Sequence, residues 1–169
     1  MIGTAAWSYT LNRINPLISA NKFILQPVSS YIPADTSIAG VFEGRTPCNS
    51  ALREINEIPA NGCGIVKCRL TLYLDAKTHE PATFLLQTVY VGNGDDNKYS
   101  VTGKWKLMQG PEHDPAAVFY QLEPGSPKSQ TIFKLLKADN NILFFLDNDN
   151  NFLVGDQYTS YTLNRKKDN

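Results

Sequence analysis

GVFEGRTPCNSALREINEIPANGCGIVKCRLTLYL, the stretch from Gly40 to Leu74, runs from a short glycine-bounded segment through a Pro47-Cys48 corner and a polar excursion. It returns through Gly62, Cys63 and Gly64 into a long alternating segment, so two of the three cysteines bracket the excursion. From Ile65 onward, Cys68, Leu70, Leu72 and Leu74 share one side and Lys67, Arg69, Thr71 and Tyr73 the other. A period of two is that of a pleated strand, and the first set is predicted to face a core. Ile38–Gly44 alternates as well. Its glycines at 40 and 44 allow the sharp coiling and close backbone approach that a small barrel requires. Between these strands Ala51, Leu52, Ile55 and Ile58 stand at helical spacing until Pro59, which predicts one or two helical turns at one end of the barrel.

Outward from this stretch the period of two persists. Thr83–Val91 alternates Phe84, Leu86, Thr88 and Tyr90 with Leu85, Gln87, Val89 and Val91, apolar enough on both sides for a partly covered strand. GNGDDNKY (Gly92–Tyr99) is dense in turn formers and leads to Tyr99–Met108, whose Val101, Trp105 and Leu107 are predicted to point inward. Val118–Leu122, Thr131–Ala138, Asn141–Leu146, Phe152–Val154 and Tyr158–Leu163 follow, with Asp139-Asn140 as a hairpin turn. Some eight or nine short strands without a long helix indicate an antiparallel up-and-down barrel or a sandwich. Closure would remove the unpaired edges of so many strands.

The N-terminal part is less regular. Phe23 and Leu25 before Pro27 suggest a short broken strand, and residues 1–37 are read as an extension ahead of a domain at 38–169. The hexamer Ser-Tyr-Thr-Leu-Asn-Arg stands twice, at Ser8–Arg13 and at Ser160–Arg165. It is either a remnant of internal duplication or a pair of equivalent edge strands.

A chain of 169 residues has room for one substantial core. With 16 Lys+Arg against 16 Asp+Glu it has no net field to draw a polyanion, which argues against a nucleic-acid partner. No apolar run approaches the roughly 18 residues of a membrane-spanning helix. The first basic residue, Arg13, is not followed by the apolar run of a secretory leader. Three cysteines are too few for a disulfide scaffold and leave at least one thiol over.

Taken in order, Gly44, Pro47-Cys48, Cys63-Gly64-Ile65, Leu70-Thr71-Leu72, Gly103-Lys104-Trp105 and Tyr161-Thr162-Leu163 resemble the NlpE N-terminal domain, found in bacterial envelope lipoproteins also called copper resistance or homeostasis proteins. The resemblance runs from about Gly40 to Arg165. It implies a small antiparallel lipocalin-like β-barrel of about eight strands, with a short helical or irregular insertion between Cys48 and Cys63. It also implies a cell-envelope location, periplasmic or outer-membrane associated, with attachment through an N-terminal lipid anchor that this sequence does not carry. The expected role is non-catalytic: envelope or surface stress sensing, or copper homeostasis, through binding. The expected partners are an envelope signalling protein or a small apolar ligand held in a lipocalin-like cup, and the chain is expected to be a monomer. The family pattern sets its two cysteines as CxxC, whereas here residues 49–62 separate Cys48 from Cys63. That loss of compact spacing weakens a metal or redox use.

The residues leave three readings of Cys48 and Cys63: a structural disulfide, a soft-metal or redox pair that would suit copper as Cu(I), or two free thiols. A bridge closing such a loop would stabilise by about 3 kcal/mol in the chain-entropy model. Cys68 reads as a small core residue. His79 and His113 sit in separate turns, and nothing in their spacing makes them converge on a metal. DNDNN, Asp147–Asn151, lacks the glycine and the terminal glutamate of a calcium loop and reads as a turn. No nucleophile elbow, phosphate loop or HExxH is present, so the chain is read as not an enzyme. Phe42, Leu70, Leu72, Phe84 and Trp105 are the candidate lining of a cavity, if the barrel interior leaves one.

Overall fold

The computed structural model describes residues 33–48, 63–91, 98–110, 114–125 and 132–167. These carry eight strands: β1 (Thr36–Pro47), β2 (Ile65–Asp75), β3 (Pro81–Val91), β4 (Lys98–Gln109), β5 (Val118–Pro124), β6 (Phe133–Lys137), β7 (Ile142–Leu146) and β8 (Thr162–Arg165). Each pairs antiparallel with the next and β8 returns to β1, which closes the barrel. No helix occurs among the described residues. The helical turns expected around Ala51–Ile58, the short strand at Phe23–Leu25, His113 and the first copy of the hexamer lie outside them.

The alternation read in the sequence sets the interior. Phe42 from β1, Cys68, Leu70 and Leu72 from β2, Phe84 and Leu86 from β3, Trp105 from β4, Leu122 from β5, Leu135 from β6 and Leu163 from β8 belong to one buried cluster. The Trp105 indole donates from Nε1 to the Tyr73 carbonyl at 2.7 Å, so its one polar atom is satisfied inside. Leu107 occupies the same side of β4 as Trp105 but is 52% exposed near the strand's end. The opposite side of β2 departs from a simple inside-outside strand, because Arg69, Thr71 and Tyr73 are buried too. The Arg69 charge is met there by Glu43, 2.5 Å away on the neighbouring β1.

β1 is longer than Ile38–Gly44 and shifts register between Ile38 and Gly40. At Gly44 an added Cβ would collide with the Thr162 carbonyl and lie 2.8 Å from Leu163 Cδ2. β8 therefore seats only against a bare backbone. At the other end of the seam Arg165 donates from Nε to Asn140 O at 2.6 Å and from Nη1 to Ala39 O at 3.1 Å. Its guanidinium stands 4.7 Å above the centre of the Phe42 ring, a cation–π placement that caps the core.

Aspartates make the turns. Asp75 Oδ1 accepts from the amides of Lys77 and Thr78 (2.9 and 2.8 Å), and Asp139 Oδ1 from those of Asn141 and Ile142 (2.6 and 2.8 Å). Asp156 Oδ1 accepts from the amides of Tyr158 and Thr159 (2.7 and 2.9 Å). In DNDNN, Asp147 Oδ1 accepts from Asp149 and Asn151 (2.9 and 2.8 Å), and Asn150 adopts a φ of 65°. The segment is a turn, with its carboxylate engaged by backbone amides. That curl is why Phe152–Val154 is not a strand; Phe152 makes only a single bridge to Leu146.

Two outcomes test this description. Gly44→Ala is expected to lower stability by about 1–3 kcal/mol through forced separation of β1 and β8; an unchanged urea midpoint would contradict the close approach. The backbone amides of Thr78, Asn151 and Tyr158 are the leading cause of the lowered carboxyl pKa of Asp75, Asp147 and Asp156, respectively. Lowered folded values mean that these turns contribute fully above the unfolded carboxyl pKa of about 3.9, and lose their contribution as pH falls through the folded values. The asparagine variants D75N/D147N/D156N keep an acceptor oxygen but no titration, so urea midpoints measured from pH 5 to pH 2 should fall less steeply in the triple variant than in the parent.

Candidate functional site at the cysteine-closed end

From Gly40 onward β1 and β2 hold their register to the last pair, Pro47 with Ile65, and the next residues outward on either side include Cys48 and Cys63. These two are joined by a disulfide, with Cα atoms 5.8 Å apart and a sequence separation of 15. The paired strands bring the two Cα atoms within the range that a disulfide spans. Both cysteines are half-buried and pack against the core. Two residues before Cys48, Thr46 is fully buried and its hydroxyl lies 3.9 Å from the Cys68 sulfur.

Cys68 is the free cysteine, and it points into the core as the alternation predicted. Burial pushes its thiol up to about 12, with the Thr46 hydroxyl pulling weakly the other way. A thiol held protonated in an apolar interior is neither a nucleophile nor a ready metal ligand.

Among the described residues the donor set with the bridge closed therefore does not fit copper. Both sulfurs of the bracketing pair are spent on each other, and the third stays protonated. Cu(I) calls for thiolate ligands. Among the described residues no group of three or more His, Cys, Asp or Glu converges. His79 is exposed in the β2–β3 turn with a φ of 58°, its amide donating to Asp75 O at 2.9 Å, a structural place in the turn.

Up-and-down topology puts the segment between β7 and β8 at the same end as the bridge. There Leu153 packs against the core while Phe152, Val154 and Tyr158 are exposed by 57, 87 and 69%. Phe152 stands edge-on to Phe144, with ring centres 5.6 Å apart. The sequence pattern conceals this rim, because Phe152–Val154 reads there as one more strand. The cavity candidates Phe42, Leu70, Leu72, Phe84 and Trp105 all lie in the single interior cluster, each 5% exposed or less.

Opening the bridge, by reduction or by Cys48→Ser with Cys63→Ser, is expected to remove about 3 kcal/mol for a loop of this size. Intact-mass measurement after alkylation should find no label on the native protein and a single label, on Cys68, after unfolding without reductant. Label on native Cys48 or Cys63 would contradict the bridge.

The NlpE N-terminal domain family model matches residues 56–156. No curated protein and no solved structure matches the chain. The family match spans more than half of the sequence and covers β2 to β7 of the closed barrel, so this chain belongs to the NlpE N-terminal domain family, an envelope-associated barrel domain of the lipoprotein type.

Proposed function

We propose that this barrel is a non-catalytic stress-sensing module of the bacterial cell envelope, working through the surface at its cysteine-closed end. One observation carries the reading: the same end of the barrel holds a disulfide and the exposed side chains Phe152, Val154 and Tyr158. A contiguous exposed apolar patch marks a protein contact, and these three side chains stand within one short segment, residues 152–158, between β7 and β8. The disulfide gives that end two states. Oxidised, it clamps the mouth of β1 and β2; when an external dithiol reduces it, itself leaving as a disulfide, Cys48 and Cys63 become thiols and the two strands are held there by their ladder alone.

Of the two roles implied by the family, sensing is the one these sulfurs support. While the bridge stands, Cys48 and Cys63 are spent on each other and offer Cu(I) no thiolate pair, whereas a bridge that opens and closes is itself a device for sensing. The partner that fits is an envelope signalling protein with an apolar contact surface. The interior supports this reading as well, since its large side chains pack against one another in one cluster.

The test is a stress reporter in cells whose envelope carries the full chain. The double substitution Val154→Lys, Tyr158→Lys alters exposed positions and should leave the folded stability unchanged, yet abolish the reporter response. A full response from a stably folded double variant would refute the rim as the contact surface. The pair Cys48→Ser, Cys63→Ser is expected to shift the reporter's resting level; an unchanged level would remove the disulfide from the sensing device.

A further inference from the structure

The hexamer that occurs twice in the chain has one described place in the fold, and that place can be specified atom by atom. Ser160–Arg165 fills the seam between β7 and β1. Its backbone bonds run from Ser160 N to Arg45 O (3.3 Å), from Phe145 N to Tyr161 O (2.9 Å), and from Arg165 N to Asn141 O (2.7 Å). Its inward side chains are Tyr161, which packs on the core, Leu163, fully buried, and Arg165, which bonds Asn140 and Ala39 and covers Phe42. Every second residue of the hexamer thus has a defined receiving group. The intervening Ser160, Thr162 and Asn164 contribute mainly backbone, and Gly44 is bare to admit it.

This seam is also the weakest line of the barrel. β1 and β2 stay paired along their full lengths, whereas β8 meets β1 only at Phe42–Arg165 and Glu43–Asn164. It meets β7 only from Ile142–Asn164 to Phe144–Thr162. Short edges with few bonds open at lower free energy than the whole domain. An opened seam exposes the edges of β1 and β7 together with an empty place for one leucine, and edges of that kind are filled by strand addition.

Ser8–Arg13 supplies the same six residues in the same order, with Tyr9, Leu11 and Arg13 in the positions of Tyr161, Leu163 and Arg165. A strand of identical sequence makes the same bonds in that place. We infer that the β7–β1 seam is a strand-acceptor site and that its second occupant is the Ser8–Arg13 segment of another copy of this chain. Each molecule then offers one strand and one acceptor seam, a head-to-tail pairing of unlike surfaces. In the intact protein the tethered Ser160–Arg165 competes at high effective concentration, so exchange shows when that copy is weakened or the local protein concentration is high.

The experiment uses the full chain. Leu163→Asp puts a charge at a fully buried position and disables the resident strand, whereas Leu11→Asp disables the other copy. In sedimentation velocity over a concentration series, the L163D chain should associate to dimers or larger where the parent is monomeric. The doubly substituted L11D/L163D chain should stay monomeric and unfold at lower urea. An L163D chain that is monomeric at every concentration, or a double variant that associates equally, overturns the proposal. If L163D does not fold, the milder Leu163→Ala chain decides, because it weakens the resident strand without burying a charge: a labelled synthetic peptide of residues 7–14 should bind it saturably, at least about tenfold more tightly than its Leu11→Asp version. Absence of saturable uptake, or equal uptake of both peptides, overturns the proposal as well. None of these readouts depends on the rim at Val154 and Tyr158, so this inference and the sensing role fail separately.

Discussion

A sheet that alternates oily and polar residues can shield its oily side by curling until the first strand meets the last, and in this protein four residues make the meeting. β8 brings Leu163 into the interior and lays Arg165 across Phe42, and it does so over a glycine. The remaining strands depend on that closure. Without it Phe42, Leu143 and Leu163 would face water along an open edge, a loss of the order of 1.5–3 kcal/mol for each large apolar side chain. The longer and better paired strands β1 to β4 supply most of the wall, but the shortest strand determines whether the wall has an inside.

Much of this was legible in the sequence because a period of two is a direct imprint of a one-sided sheet. The stretch Ile65–Leu74 showed its inward set, Cys68 included, and the inward placement of Phe84 and Trp105 was read from the same alternation. What the rule could not show was the burial of β2's other side. Lys67, Arg69, Thr71 and Tyr73 read only as the side opposite the core set, yet Arg69 is buried against Glu43, a pairing across strands that no local pattern signals. Phe152–Val154 misled for a related reason. Three apolar residues resemble a strand, but the carboxylate of Asp147 takes the following amides and curls the chain first.

The candidate site was half legible. The position of Cys48 and Cys63 on either side of a polar excursion was plain, while their chemistry was open between bridge, metal pair and free thiols. The structure answers through geometry: the last rungs of β1 and β2 carry the two cysteines to a Cα separation of 5.8 Å, and the disulfide follows. The exposed apolar residues on the same end had no sequence signature, because a solvent-facing valine and a core valine look alike in a string. Arg165 had only one, the repetition of its hexamer, which marked the segment without saying what it does.

These features make one object of the barrel's two ends. One is clamped by a disulfide and presents Phe152, Val154 and Tyr158; the other is capped by Arg165 at the seam. Its central claim, that β8 closes the sheet onto β1, is open to direct measurement by cross-strand nuclear Overhauser effects on the isotopically labelled protein. The account expects backbone contacts linking Phe42 and Glu43 with Asn164 and Arg165, together with slow amide exchange at Arg165 and Lys166, whose amides donate at 2.7 Å to Asn141 and Val41. Absence of those contacts, with freely exchanging amides from Thr162 to Lys166, would show an open sheet and contradict it.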